Sequence, residues 1–291
     1  MTNLDAAGSI PPSIRVELAH AAVCNLARRA GVDLLVVKGP GMDPLVGFKG
    51  RASADVDVLV RPDEVGRFLD LVKAHGWWAR DRFETGSPFG HSTTLFHPTW
   101  GDLDVHRLIP GIGVDPSVAF DVFWASRIDV TLGGQPCPHP QPAAQALVLV
   151  LHAARSEGSP RAGQDVVHAW TDAPSEQQAA ILALVDRLDA HVAWAAGTGD
   201  LEAFRGDSSY RLWAVASRGG GRLEEWRARV EAERSWRAKA MIALRAPLVN
   251  TDHLAMLLGH RPTRTEVLVE FADRFRRGAG ELAARRGRKR S

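Results

Sequence analysis

The chain has 291 residues, of which 45% are hydrophobic and 24% charged, with 36 Lys or Arg against 34 Asp or Glu. This composition is typical of a globular protein and excludes collagen-like, disordered and disulfide-rich classes. Its two cysteines, Cys24 and Cys137, form no CxxC motif, which favours a reducing compartment and argues against structural zinc. Since no apolar run is long enough for a membrane span and no secretory signal precedes the first helix, we expect a cytoplasmic protein without a membrane partner.

The first half of the chain alternates between helix and strand patterns. "SIRVELAHAAVCNLARRAG" has apolar residues at helical spacing, with Ser13 as a candidate N-cap and Gly31 as a stop signal. "VDLLVVKG" predicts a buried strand, and a Gly- and Pro-containing loop leads to a second strand, "ADVDVLV". "RPDEVGRFLDLVKAHG" predicts a helix. Short strands are then predicted at "WWAR", "STTLFH" and "GDLDVHRL".

The pattern changes near residue 138, where "GGQPCPHPQP" is typical of a linker. Beyond it nearly every segment has helical periodicity. We therefore expect an α+β domain over residues 1–138, an all-helical domain over 139–278 and a basic tail over 279–291. From Arg274 to the end there are eight Lys or Arg and one acidic residue, a pattern that favours a solvated, disordered end over a nucleic-acid contact.

Two aspartates share one face of the strand "ADVDVLV". Because side chains alternate along a strand, Asp55 and Asp57 point to one side and the valines to the other. Two neighbouring carboxylates repel unless a cation lies between them, and Mg²⁺ or Mn²⁺ prefers such oxygen ligands. The structural alternative is an edge strand whose charges prevent pairing with another chain.

A second acidic strand supports the metal interpretation. In "GDLDVHRL", Asp102, Asp104 and His106 share one face, and the apolar neighbours of Asp104 favour it as the third carboxylate. Three carboxylates suit metal-assisted phosphoryl transfer. The glycine-rich loop before Asp55 would let backbone N–H groups approach a phosphate.

The order of these elements resembles the polymerase-β-type nucleotidyltransferase superfamily. More narrowly, "VVKG", "GRASADVDVLV" and "LDVHRL" resemble a family of nucleotidyltransferases with a Lys-Gly, Arg-x3-Asp-x-Asp and Asp-x-His pattern. The resemblance covers residues 15 to 110 and continues more loosely into the first helices beyond the linker. It implies a minimal mixed sheet flanked by helices, followed by a helical C-terminal domain.

The resemblance also implies roles for individual residues. Asp55, Asp57 and Asp104 would bind Mg²⁺ or Mn²⁺, with Asp104 serving as ligand or as the base toward the acceptor hydroxyl. The residues implied to surround the nucleotide are the glycines of the turn, two cations and one hydroxyl: Gly39, Gly41, Lys38, Arg51 and Ser53. Those implied to touch the substrate or to support the metal site are His106, Asp102 and Trp100.

One departure from the superfamily pattern lies in the turn. The superfamily turn commonly reads Gly-Gly or Gly-Ser, but here Pro40 follows Gly39 and offers neither a hydroxyl nor an N–H. This leaves the mode of triphosphate binding open. Two residues of the helical half receive mainly structural interpretations. His152 is predicted to be a core histidine, although the family has a histidine on this helix and an aspartate after it. Asp165 is predicted to be the N-cap of "DVVHAW", with a position in the cleft as the alternative.

The expected function is transfer of a nucleotidyl group from an NTP such as ATP to a hydroxyl of a small-molecule or peptide acceptor. One alternative keeps the metal site but uses a nucleotide sugar as donor. A second is a catalytically silent regulatory module, and a third is nucleic-acid binding through the basic tail. Retention of all three carboxylates argues against the silent module.

Overall fold

The structure, a computed structural model, describes residues 10–47, 53–86, 89–233, 235–245, 249, 251, 254, 258, 260–273 and 276. Arg51 and the basic tail at 279–291 lie outside these residues. Within the described ranges, the helices are too short or too polar to cross a membrane.

Strands occupy mainly the first half of the chain, and helices follow them. The strands are β1 (Leu34–Lys38), β2 (Val56–Val60), β3 (Trp78–Ala79), β4 (Ser92–His97), β5 (Gly101–His106), β6 (Ile128–Leu132) and β7 (Gln135–His139). The first helices are α1 (Pro12–Ala30), α2 (Val65–Ala74), α3 (Phe83–Gly86) and α4 (Pro116–Ala125). The later ones are α5 (Pro142–Ala153), α6 (Pro160–Val166), α7 (Ser175–Arg187), α8 (His191–Thr198), α9 (Tyr210–Arg218), α10 (Arg222–Ala232) and α11 (Trp236–Arg245).

Helix α1 ends as its sequence predicts but begins two residues earlier than an N-cap at Ser13 would give. Gly31 takes the left-handed conformation, with φ 64°, and its N–H closes the last turn. The predicted N-cap at Ser13 is wrong. Pro12 is the first helical residue and Pro11 holds the cap position without a side-chain bond, because proline already has the φ that the first turn needs.

A mixed five-stranded sheet forms the centre of the first half. Its strand order is β1-β2-β5-β4-β3, with β2 and β5 parallel and the other neighbouring pairs antiparallel. Parallel pairing brings the starts of β2 and β5 to the same end of the sheet. The predicted α+β class, a mixed sheet flanked by helices and followed by a helical region, is confirmed.

The two faces of the sheet have different partners. Val56, Val58 and Val60 are buried in a core that they share with α1 and α2. On the opposite face, Leu59 packs in a larger core with α4, α5, α7 and α8. This alternation leaves Asp57 on the second face, at the start of β2 where the large core ends.

A β-bulge sets the register at the end of β1. Val36 lies opposite Val58, but the next aligned pair is Lys38 opposite Asp57, so Val37 is the extra residue. Without the bulge, Val37 would lie opposite Asp57. The bulge therefore places a cation beside a carboxylate in the interior of the sheet.

The segment "GGQPCPHPQP", predicted to be a linker, is instead part of a hairpin. Gly133 and Gly134, with φ 50° and 74°, form the two-residue turn between β6 and β7, as expected for a hairpin loop that needs positive φ at both positions. Strand β7 then packs against α1 and β1. Helix α5, beyond the predicted boundary, packs in one hydrophobic core with β1 and β2. A division into two domains at 138/139 therefore stays a prediction.

The turn after β1 packs directly against a buried histidine, His20. Gly39 has φ +119°, and a Cβ at this position would lie 2.8 Å from Nε2 of His20. The His20 ring is fully buried and its Nδ1 donates to the carbonyl of Val16 at 2.8 Å. The ring therefore has no room to move away, and the position requires glycine.

We predict that Gly39→Ala lowers the free energy of unfolding by about 3 kcal/mol, because it adds a steric clash to an unfavourable φ. The matched control is Gly134→Ala, where φ is also positive but a Cβ would meet nothing within 4 Å. In this control the free energy of unfolding should fall by about 1 kcal/mol. Urea unfolding measures both, and equal losses would contradict the role of His20.

Candidate active site

Asp57 lies at the centre of a cluster of polar side chains. It is 3% exposed, and its Oδ1 lies 3.0 Å from Lys38 Nζ and 3.0 Å from His106 Nε2. Burial alone would raise the pKa of Asp57, but the charge of Lys38 and the hydrogen bond from His106 hold the pKa well below its usual range. Asp57 is therefore a carboxylate although it is buried.

Asp104 faces Asp57 across the parallel pair β2–β5, where the two residues are direct partners in the register. Its Oδ1 accepts a hydrogen bond from Thr94 Oγ1 at 2.6 Å, from the neighbouring strand β4. Burial, and then the negative charge of Asp57, raise the pKa of Asp104 to about 7. Without a bound cation, this carboxyl holds a proton in neutral solution for much of the time.

His106 orients Asp57 from the same sheet face. Burial lowers the pKa of the imidazole, so it is neutral at pH 7 and its Nε2–H donates to Asp57. Its Nδ1 is buried and has no hydrogen-bond partner among the described residues. His106 therefore holds one oxygen of Asp57 in place.

Asp55 lies beside this cluster but outside the strand. Strand β2 begins at Val56, so the prediction that both aspartates are strand residues is wrong for Asp55. The hydroxyl of Ser53 lies 2.9 Å from the Asp55 carbonyl oxygen and 3.2 Å from its Oδ1. A bend fixed by Ser53 thus presents Asp55 at the rim, where it is half-buried.

These side chains form one wall of a cavity of about 290 Å³. The sheet wall consists of the start of β2, the end of β1 and the middle of β5: Lys38, Ser53, Ala54, Asp55, Asp57 and Asp104. The opposite wall is formed by the end of α5, the turn that follows it and α6: His152, Ser156, Ser159, Arg161, Ala162 and Asp165. The cavity thus lies between the sheet and the helical region.

The structure corrects two interpretations in the helical wall. His152 lines the cavity, so it is not a core histidine; burial lowers its pKa to about 3, and the ring is neutral. Asp165 is not an N-cap, since it lies inside α6, which Ser159 caps by accepting a bond from the Ala162 N–H. Asp165 is 2% exposed and also lines the cavity.

Other residues from the sequence analysis lie farther from the carboxylates. Gly39 and Gly41 form the turn after β1, where both have positive φ. Asp102 is on the same sheet face as Asp104, and its Oδ1 lies 2.9 Å from Arg80 Nη1. Trp100 packs at the side of the core shared with α1 and α2, so the structure does not bring it to the cluster.

The donor set fits a hard divalent cation. Single atoms of Asp57, Asp104 and His106 lie within 4.8 Å of one another, but His106 Nε2 already bonds Asp57. Among the described residues, the second oxygen of each of the two aspartates accepts no hydrogen bond. Two such oxygens, with Asp55 at the rim, are the ligand type that Mg²⁺ and Mn²⁺ prefer, and a cation would also relieve the repulsion that raises the pKa of Asp104.

Sequence reasoning missed two contributors to this site. Thr94 lies on the strand face that its register shares with Asp104, and the alternation of "STTLF" beside "GDLDVH" was the signal that could have identified it. Arg161 lies in the first turn of α6, within the segment "RSEGSPRAGQD". Nothing in that segment indicates that it faces the sheet.

Comparison with solved structures gives seven matching chains, and three of them have low sequence identity to this chain. The lincosamide antibiotic adenylyltransferase LnuA with bound lincomycin is 17% identical, has a TM-score of 0.37, and covers 53% of this chain and 94% of its own. The antibiotic-resistance factor ANT(2'')-Ia in solution is 15% identical, with TM-score 0.36 and coverage of 67% and 94%. An antigenic nucleotidyltransferase-like protein from Paracoccidioides brasiliensis is 17% identical, with TM-score 0.36 and coverage of 62% and 93%.

No curated protein matches the chain. Residues 14–200 match the family described as "Uncharacterised nucleotidyltransferase". The matched segment contains the whole five-stranded sheet and both walls of the cavity. Because the match spans well over half of the 291 residues, the chain belongs to this nucleotidyltransferase family and is a transferase.

Proposed function

We propose that the protein transfers a nucleotidyl group from an NTP to a hydroxyl of a small-molecule or peptide acceptor, with Mg²⁺ or Mn²⁺ as cofactor. The observation that supports this is the pairing of Asp57 and Asp104 in the parallel register, at the wall of a cavity. Each carboxylate has one oxygen engaged by the protein. Within the part of the chain that the structure describes, the other oxygen of each accepts no hydrogen bond and would be available to a ligand.

The metal would be held by Asp55, Asp57 and Asp104. When bound, it supplies charge stabilisation for the α-phosphate and for the leaving pyrophosphate. Lys38 and His106 keep Asp57 ionised and fixed before any ligand arrives. This arrangement reduces the reorganisation that binding would otherwise require.

Asp104 is the proposed base toward the acceptor. In the transfer, the acceptor oxygen forms a bond to the α-phosphorus, the bond from that phosphorus to the pyrophosphate oxygen breaks, and the acceptor proton passes to Asp104. A carboxylate within reach of the acceptor hydroxyl can accept this proton as a general base. The hydrogen bond from Thr94 orients the carboxyl group.

The proposed nucleotide contacts lie on the β1 side of the sheet. The family resemblance assigns Gly39, Gly41, Arg51 and Ser53 to the phosphates. Lys38 is already 3.0 Å from Asp57, so we assign it to charge balance at the metal ligands as well as to the phosphates. Asp102, on the far side of Asp104, is proposed to face the acceptor.

The turn gives a reason to keep a second donor class. Pro40 provides no N–H between Gly39 and Gly41, so this turn offers fewer donors to a triphosphate than a Gly-Gly or Gly-Ser turn. A nucleotide sugar has two phosphates and would need fewer backbone N–H donors than a triphosphate. The mass added to an acceptor distinguishes the two donors, since one transfers a nucleotidyl group and the other a glycosyl group.

We predict that Mg²⁺ with an NTP raises the melting temperature of the wild-type protein, and that Asp55→Asn and Asp57→Asn abolish this shift. The asparagines keep the side-chain volume but remove the charge that holds the metal. Transfer measured with α-labelled NTP should fall about a thousandfold. Differential scanning fluorimetry with each of the four NTPs provides the first measurement.

Asp70→Asn is the matched control, because Asp70 lies on the exposed side of α2. It should respond to the nucleotide as the wild type does. Asp55 has no buried ion pair with a described residue, so Asp55→Asn should fold normally. Loss of the nucleotide-dependent shift in this variant would therefore report loss of binding. A nucleotide shift that survives both site substitutions would contradict the proposal.

Metal binding is predicted to depend on pH through Asp104. Because the pKa of this carboxyl is raised to about 7, a cation must displace a proton below that pH. The apparent affinity for Mn²⁺ should therefore increase by up to about tenfold per pH unit until about pH 7 and then level off. Calorimetric titration of the metal-free protein measures this affinity.

Asp104→Asn should flatten the pH profile and weaken binding at high pH, whereas Asp70→Asn should leave the profile unchanged. A wild-type affinity that does not vary between about pH 5 and 7 would refute the assignment of Asp104 as a titrating ligand.

A further inference from the structure

A half-buried arginine just beyond the end of α5 has no described carboxylate in contact with it. Burial lowers the pKa of the Arg155 guanidinium to about 10, so the group is charged at pH 7. Its side chain contacts Nε2 of His91, the carbonyl oxygen of Leu151 and the ring of Phe89. A charge withdrawn from water among neutral groups is unfavourable unless another interaction compensates for it, so this position is a candidate for a functional role.

The contact with His91 determines which nitrogen of that ring carries the proton. Nη1 of Arg155 lies 3.0 Å from Nε2 of His91. A guanidinium only donates hydrogen bonds, so Nε2 accepts and the proton of the ring is on Nδ1. Burial, and then the charge of Arg155, lower the pKa of His91 to about 2, and the ring is neutral. Arg155 thus fixes both the tautomer and the orientation of a buried histidine.

The ring of His91 lies against the histidine that holds the central carboxylate. The ring centroids of His91 and His106 are 5.3 Å apart, with 45° between the ring planes. The Nε2–H of His106 donates to Oδ1 of Asp57 at 3.0 Å. A guanidinium, two neutral imidazoles and an ionised carboxylate therefore follow one another in contact, from the helical region to the start of β2.

The helical region also holds this chain of side chains from behind. Phe89, two residues before His91, stacks on Trp213 of α9, with ring centroids 5.4 Å apart. The guanidinium of Arg155 lies over the other side of this arrangement, 5.7 Å from the centroid of Phe89. On the sheet side, the carbonyl oxygen of His91 accepts a hydrogen bond from the N–H of Arg107 at 2.9 Å. His91 is therefore fixed by both halves of the protein.

We infer that Arg155 is a positioning residue for Asp57 and that it acts through His91 and His106. This inference rests on the proposed function, because it assigns Asp57 as a metal ligand. Residues that orient a metal ligand through hydrogen bonds contribute to metal affinity. The competing interpretation is that Arg155 acts only through its charge. The two predict opposite signs, since removal of a nearby positive charge alone would strengthen the binding of a cation.

The first test measures Mn²⁺ affinity by calorimetry at constant pH for the wild type, Arg155→Met and Arg155→Lys. Arg155→Met should weaken Mn²⁺ binding about tenfold, the lower end of the effect of losing a group that orients a metal ligand. Arg155→Lys should recover most of this loss, because an ammonium can also donate to Nε2 of His91.

The second test reads the protonation of the histidine rings directly. Nitrogen-15 NMR of the side chains distinguishes Nδ1–H from Nε2–H tautomers, and His91→Phe identifies the resonances of His91. In Arg155→Met, His91 should no longer be a single Nδ1–H form and the Nε2 resonance of His106 should shift. In Arg155→Lys, both should resemble the wild type.

A double-mutant cycle tests whether the effect passes through His91. His91→Phe keeps a ring beside His106 but removes the acceptor nitrogen, so it should weaken Mn²⁺ binding, and adding Arg155→Met should cause no further loss. Arg127→Met is the matched control. Arg127 also bonds a backbone carbonyl and lies over an aromatic ring, that of Trp124, but it is exposed at the end of α4, and the variant should bind Mn²⁺ as the wild type does.

The inference is overturned if Arg155→Met binds Mn²⁺ as tightly as the wild type or more tightly, or if it loses the same factor in the His91→Phe background. If Arg155→Met does not fold, an unchanged Mn²⁺ affinity in His91→Phe overturns the inference equally. A wild type that binds no Mn²⁺ would refute the proposed function, and with it the role of Arg155.

Discussion

The structure is organised around one buried carboxylate. Asp57 is ionised in the interior of the sheet, where an unpaired charge would be strongly unfavourable. Lys38 and His106 converge on one of its oxygens. The bulge in β1 brings Lys38 opposite Asp57. The hydrogen bond to the carboxylate fixes the tautomer of His106, whose Nε2 carries the proton. The electrostatic state of Asp104 follows from the same charge.

The chemistry of the sheet wall could be predicted from the sequence because it depends on local periodicity. The alternation of side chains places Asp57 on the face opposite the valines, and it places Asp104 and His106 together on β5. The position of Asp55 outside the strand was not predictable, because the start of a strand depends on its partner's hydrogen bonds. The same holds for the bulge at Val37, which has no characteristic residue.

A position of His152 and Asp165 at the cavity could not be favoured from the sequence, for a reason of tertiary structure. His152 follows a long apolar run and Asp165 precedes another, so both look structural when read in their own segments. Their place at the cavity follows from the packing of α5 against β1 and β2, which no local pattern encodes. The linker prediction for the segment that forms the β6–β7 hairpin failed for a different reason. The whole segment, the Gly-Gly pair and the prolines alike, was interpreted as a linker, whereas the glycines form a hairpin turn and the prolines lie in a short strand.

Parallel pairing of β2 with β5 has a consequence for how such an enzyme diverges. Asp57 and Asp104 are 47 positions apart in the chain (104 − 57), yet their separation in space is set by hydrogen bonds between the two strands. The intervening segment runs through α2 and the outer strands and returns to the sheet. Loops in that segment can therefore gain or lose residues over evolutionary time without displacing the carboxylates.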